Sequence, residues 1–162
     1  MLTNYRELFR LVHLRPGMYG VRTYWETAAL VTGCDAGTGW MLLEGFREWL
    51  QLRIGANSSL GWSSMVVQLA DPTYYERSPR AFTPAVETAA LDLMFELLDQ
   101  FLAVREQHGG LARIFAEYAQ RQKVWEDGKE LTDSIVGVDG EAGSECQPGG
   151  RDRAGDATPY QA

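Results

Sequence analysis

From Asn4 to Trp125 apolar residues recur three or four positions apart, in runs separated by Gly and Pro, and this period narrows the chain to helices packed on helices. Tyr5, Leu8, Phe9 and Val12 predict a first helix over 4–14, with Asn4 and Glu7 spaced as a cap. Arg15-Pro16-Gly17-Met18-Tyr19-Gly20 stops it, because proline pushes its predecessor out of the helical region and glycine permits positive φ. Thr23 and Glu26 stand in capping-box order before a second helix that should end near Gly33 to Gly37. Leu42, Leu43, Phe46, Trp49 and Leu50 form the apolar face of a third helix expected over 40–54. Trp62, Met65, Val66 and Leu69 mark a fourth, which runs to about Ala70.

Pro72 and Pro79 exclude regular structure between Asp71 and Thr83, a loop that Tyr74 and Tyr75 should tack onto the core. Thr83-Pro84 then opens the longest helix, with Thr as cap and Pro at the first helical position. Its inward face reads Val86, Leu93, Met94, Leu97, Phe101 and Val104, and its polar stripe Thr88, Asp92, Glu96 and Asp99. After Gly109-Gly110, a sixth helix carries Leu111, Ile114, Phe115, Tyr118 and Trp125, with Ala119 on its apolar side. No strand pattern competes. The expectation is an all-α, single-domain bundle of about six helices over residues 1–136, arranged around Ala85 to Gln107. Residues 137–162 hold six Gly, two Pro and no Leu, Ile, Phe, Met or Trp, so they cannot bury enough surface to offset ordering entropy and read as a disordered tail.

The formal charge is −7, and Lys and Arg are scattered rather than gathered in a stripe, which disfavours nucleic acid and favours encounter with a basic protein. The most apolar stretch, Ala89 to Val104, is interrupted by Asp92, Glu96 and Asp99, so no membrane span is expected. Met1 to Arg10 lacks the apolar core of an export signal, so a cytoplasmic location is the expectation. Cys34 and Cys146 are expected as reduced thiols, and the isolated His13 and His108 do not suit structural zinc. No cofactor is expected.

Arg15-Pro16-Gly17-Met18-Tyr19 and Asp35-Ala36-Gly37-Thr38-Gly39 together resemble strings of the DNA gyrase B class of ATPases. That class needs a helix with a magnesium-binding Asn and a strand between the two strings, whereas Val21 to Cys34 contains no Asn and is too short. The two strings therefore read as a helix stop and a helix-to-helix turn. Ser63 and Ser64 follow Gly61-Trp62, but Met65 stands where a nucleophile elbow needs its second Gly. Gly128-Lys129 is followed by Glu130, not by the Ser or Thr of a phosphate loop. The carboxylates Glu44 with Glu48, and Asp92, Glu96 and Asp99, share helix faces, but no Glu-x-x-His accompanies them, so solvated faces are the simpler reading. An enzyme is not the favoured expectation.

Most of the five tryptophans should fill the core, with Trp25 as the exception. Beside the 15–20 loop, Arg15, Met18, Tyr19, Arg22, Tyr24 and Trp25 form a candidate binding loop. Tyr5-Arg6-Glu7-Leu8, Arg15-Pro16-Gly17-Met18-Tyr19, Thr32-Gly33-Cys34-Asp35 and Gly45-Phe46-Arg47-Glu48-Trp49-Leu50, with Trp62, resemble a family of small actinobacterial helical proteins over about residues 4–125. By analogy of size and setting with immunity or accessory proteins beside bacterial toxins, this implies a cytoplasmic protein-binding module that blocks a basic partner through Asp92, Glu96 and Asp99. Two alternatives stand beside it. One is a small-ligand binder or enzyme using the 15–20 loop with Glu44, Arg47 and Glu48 as pocket polar groups, and the other is a structural homo-oligomer.

Overall fold

The computed structural model describes residues 2–77 and 81–136, with side chains described over 4–77 and 81–127. Among the described residues there are six α-helices and one 3-10 turn, and no strand. They are α1 (Leu2–Leu14), the 3-10 turn Pro16–Tyr19, α2 (Tyr24–Gly37), α3 (Phe46–Ile54), α4 (Trp62–Ala70), α5 (Pro84–Glu106) and α6 (Gly110–Val136). One compact unit spans Met1–Gly128, and of the second, Lys129–Ala162, only the helical stretch to Val136 is described. The expected tail, 137–162, lies outside the described residues. No described helix is long and apolar enough to cross a membrane.

Local chemistry explains most of the boundaries. Thr23 Oγ1 accepts the Glu26 N–H, and the Glu26 carboxylate accepts the Thr23 N–H, so two donors left bare by the start of α2 are satisfied reciprocally. The Glu87 carboxylate of α5 accepts the Tyr24 N–H at 2.9 Å and covers a third, placing a negative charge where the α2 dipole favours it. Thr83 Oγ1 caps α5 with Pro84 in its first turn. Asn4 does not cap α1, which begins at Leu2 instead, and Glu7 pairs with Arg10 at 2.6 Å on its surface.

The long helix α5 is the axis of the compact unit and packs against α1, α2 and α4, while α3 packs on α4. Its buried residues are Ala90, Met94, Phe95, Leu97, Leu98, Phe101 and Leu102, so the buried face includes positions beyond the expected stripe. Phe101 meets Phe46 and Trp49 with ring centroids 4.9 and 5.7 Å apart, separations at which tilted aromatic pairs attract beyond their area burial. Complete burial of Met94, Leu98 and Phe101 removes large apolar surfaces from water, and each contributes about 1.5–3 kcal/mol. Tyr24 is wholly enclosed, and its hydroxyl donates to the Ser63 carbonyl at 2.6 Å, tying α2 to the start of α4. That burial pushes its phenol far above the ordinary range.

Candidate functional site

The main departure from the sequence reading lies between α2 and α3. The third helix begins at Phe46, not Trp40, because Gly45 adopts φ +83°, a left-handed conformation incompatible with a continuing helix. A Cβ at Gly45 would also lie 2.7 Å from Leu111 Cδ1, so α6 approaches where only glycine fits without adjustment. Residues 38–45 form a loop whose backbone is held at nearly every step. The Asp35 carbonyl accepts the N–H groups of Thr38 and Trp40 at 3.0 and 2.9 Å, and the Thr38 hydroxyl at 2.7 Å. Thr38 Oγ1 accepts the Leu42 N–H at 3.1 Å, and the buried Asp35 carboxylate accepts the Leu43 N–H at 2.9 Å. From α5, Arg105 Nη1 donates to the carbonyls of Met41 and Leu42, and Nη2 reaches Glu44 at 3.4 Å. Such a network leaves few buried polar groups of this loop without partners.

The loop sends its side chains in two directions. Leu42 and Leu43 are buried in the core, whereas Trp40 and Met41 are 63% and 62% exposed. Trp40 is the only described non-glycine residue with positive φ, at +65°, which costs on the order of 1 kcal/mol in a residue carrying a Cβ. A strained, exposed tryptophan contributes little to folding that alanine or glycine would not.

Below this loop an open cleft of about 910 Å³ is lined by Tyr5, Leu8, Met41 and Leu42, with Asn4, Gly37, Thr38 and Arg105. Arg105 is the sole charged group in the lining, and its side chain is only 9% exposed. Burial pushes its guanidinium pKa down against the opposing pull of Glu44 and Asp35. A second cleft, about 690 Å³, runs between α1 and α5 and is lined by Arg6, Arg10 and His13 facing Asp92, Glu96 and Asp99, with Phe9 and Phe95 at its base.

The candidate residues drawn from sequence are distributed as follows. In the 15–25 segment Met18 is exposed, Arg15 and Arg22 are exposed, and Tyr19 is half-buried. Trp25 is 44% exposed and packs on Phe82 and Tyr24, while Tyr24 itself belongs to the core and offers no binding surface. The stripe on α5 is engaged within the chain: Asp99 accepts from Arg6 Nε at 2.8 Å, Asp92 Oδ1 lies 2.9 Å from His13 Nε2, and Glu96 accepts from Gln100 at 2.8 Å. His13 also stacks on Phe95 with centroids 4.5 Å apart, so this polar row fastens α1 to α5. These exposed pairs are worth about 0–1 kcal/mol each. Glu44 lies in the loop rather than on a helix face with Glu48, and it faces Arg105. Arg47 donates to the Ser58 and Leu60 carbonyls at 2.6 and 3.3 Å, which commits it to shaping the 55–61 turn. Neither described cleft is lined by the 15–20 loop, Glu44, Arg47 or Glu48.

Cys34 is half-buried and free, and burial raises its thiol pKa. Among the described residues no group of three or more His, Cys, Asp or Glu converges as a metal site would require. Asp35, Thr38, Trp40, Met41 and Arg105 were not singled out together by sequence, and the signal that could have found them was Gly45 inside an otherwise helical apolar pattern. No family model, no curated protein and no solved structure matches the chain.

Proposed function

We propose that the chain is a non-enzymatic protein-binding module that docks on a basic partner through Trp40 and Met41. The observation that supports this reading is an exposed tryptophan and methionine side by side on a loop already fixed by Asp35, Thr38 and Arg105. Tryptophan dominates binding hot spots, methionine adapts to a partner's surface, and a loop ordered before contact does not pay the ordering entropy on binding. The net charge of −7 steers a basic partner toward the molecule, as an immunity-type inhibitor of a basic toxin would require. The stripe Asp92, Glu96 and Asp99 contributes to that field, while its hydrogen bonds to α1 and to Gln100 leave Trp40 and Met41 as the contact residues.

The test is capture of partners by the tagged full chain from its own cells at two salt concentrations, with quantitative mass spectrometry. The double variant Trp40→Ser, Met41→Ser should lose a basic partner that wild type retains at stoichiometric yield. The triple variant Asp92→Asn, Glu96→Gln, Asp99→Asn should retain it with a weaker salt dependence. Equal capture by wild type and the loop variant would overturn the assignment. Sedimentation of the pure chain above 18.1 kDa, returned to 18.1 kDa by Trp40→Ser, Met41→Ser, would instead place a second copy on this surface.

A further inference from the structure

Arg105 is a cation enclosed on an apolar wall. Its side chain is 9% exposed, it lines the cleft formed by Tyr5, Leu8, Met41 and Leu42, and its ion-pair partner among the described residues, Glu44, sits at 3.4 Å and is half exposed to solvent. A guanidinium has five N–H groups. Two at Nη1 are taken by the Met41 and Leu42 carbonyls and one at Nη2 by Glu44, so Nε and the second Nη2 hydrogen make no hydrogen bond among the described residues. Nε is not closed off from solvent, so it is within reach of an anion entering the cleft, which would engage both the open donors and the charge. The planar guanidinium edge matches a carboxylate in two parallel hydrogen bonds. A phosphate would bring up to two charges to a lining that holds one cation and no second basic residue.

We propose that this cleft binds a free aliphatic carboxylic acid, its carboxylate on Arg105 and its chain along Tyr5, Leu8, Met41 and Leu42. The volume of about 910 Å³ lies within the range of small-molecule sites, and the lining is apolar around a few polar groups, as such sites are. Glu44 competes with the ligand for the same guanidinium. The site goes beyond the protein contact through Trp40, and either holds without the other.

Calorimetric titration of the full chain at pH 7 with decanoate, decanol and decylamine, each below its aggregation concentration, tests the assignment. Decanoate should bind one to one and at least about tenfold more tightly than decanol, the value of one net hydrogen bond to a charged group, and decylamine should not bind. The exposed substitution Glu44→Gln should tighten decanoate roughly two- to fivefold and leave decanol unchanged. Arg105→Gln should erase the preference for acid over alcohol. Because Arg105 also holds the loop, the ligand comparison and Glu44→Gln stand even where that variant fails to fold. In NMR the Met41 methyl signal, identified by Met41→Leu, should move with decanoate. Equal affinity for acid and alcohol, several acids bound per chain, or no heat from any of the three would overturn the proposal.

Discussion

Replacing Asp35 by alanine probes the anchor of the 38–45 loop. The Leu43 N–H is buried and its acceptor is the Asp35 carboxylate at 2.9 Å, so Asp35→Ala leaves a donor unpaired away from water. A lost hydrogen bond to a charged acceptor costs about 2–3 kcal/mol. Alanine is the better helix former, and the substitution removes a negative charge from the C-terminal turn of α2, which together return about 0.5–1 kcal/mol. The expected net loss is roughly 1–2 kcal/mol, or about 4–8 °C in melting temperature for a unit of this size. Asp35→Asn keeps an oxygen that can accept and should lose roughly half as much. Urea unfolding supplies the energies, and hydrogen exchange at the Leu43 amide supplies the location, since its protection should fall in Asp35→Ala. Wild-type stability together with a still protected Leu43 amide would refute the role given to Asp35.

Two glycines should respond with opposite signs. Gly45→Ala meets both a left-handed φ and Leu111 and should cost about 1–3 kcal/mol, whereas Gly33→Ala, inside α2 with open space at its Cβ, should gain about 0.5–1 kcal/mol; urea midpoints check both. The pH dependence should carry the mark of Glu26, whose pKa is lowered chiefly by backbone hydrogen bonds from Arg22 and Thr23. A folded pKa below the unfolded value means its stabilisation is full above about pH 4.5 and is lost as pH falls through the folded value. Glu26→Gln should therefore flatten part of the stability loss below pH 4.5, and an unchanged acid limb would count against the capping box.

The parts of the fold that were legible in sequence rest on local chemistry. The Thr23 and Glu26 capping box, Thr83-Pro84 at the start of α5, and both limits of α4 are decided by neighbouring residues and appear where the residues predict them. Trp25 at an exposed first helical turn was legible for the same reason. The 38–45 loop was not, because Leu42, Leu43 and Phe46 are spaced as on a helix and are all buried although two of them lie outside any helix. What decides that segment is distant in sequence. Arg105 grips its carbonyls from 63 and 64 residues away, and Leu111 closes on Gly45 from α6. Asp92, Glu96 and Asp99 are exposed along α5, but Arg6 and His13, which meet Asp99 and Asp92, lie 93 and 79 residues away, beyond reach of any periodicity.

The most direct test of the claim that Trp40 is kept for recognition rather than for folding is the stability of Trp40→Gly in urea. Trp40 is 63% exposed and holds φ +65°, a conformation glycine adopts freely, so the side chain adds strain and little burial. Glycine also loses more entropy on folding, which opposes the relief. The account predicts stability equal to wild type or higher by up to about 1 kcal/mol. A loss of more than about 1 kcal/mol would contradict it, since Trp40 would then be a packing residue of the fold.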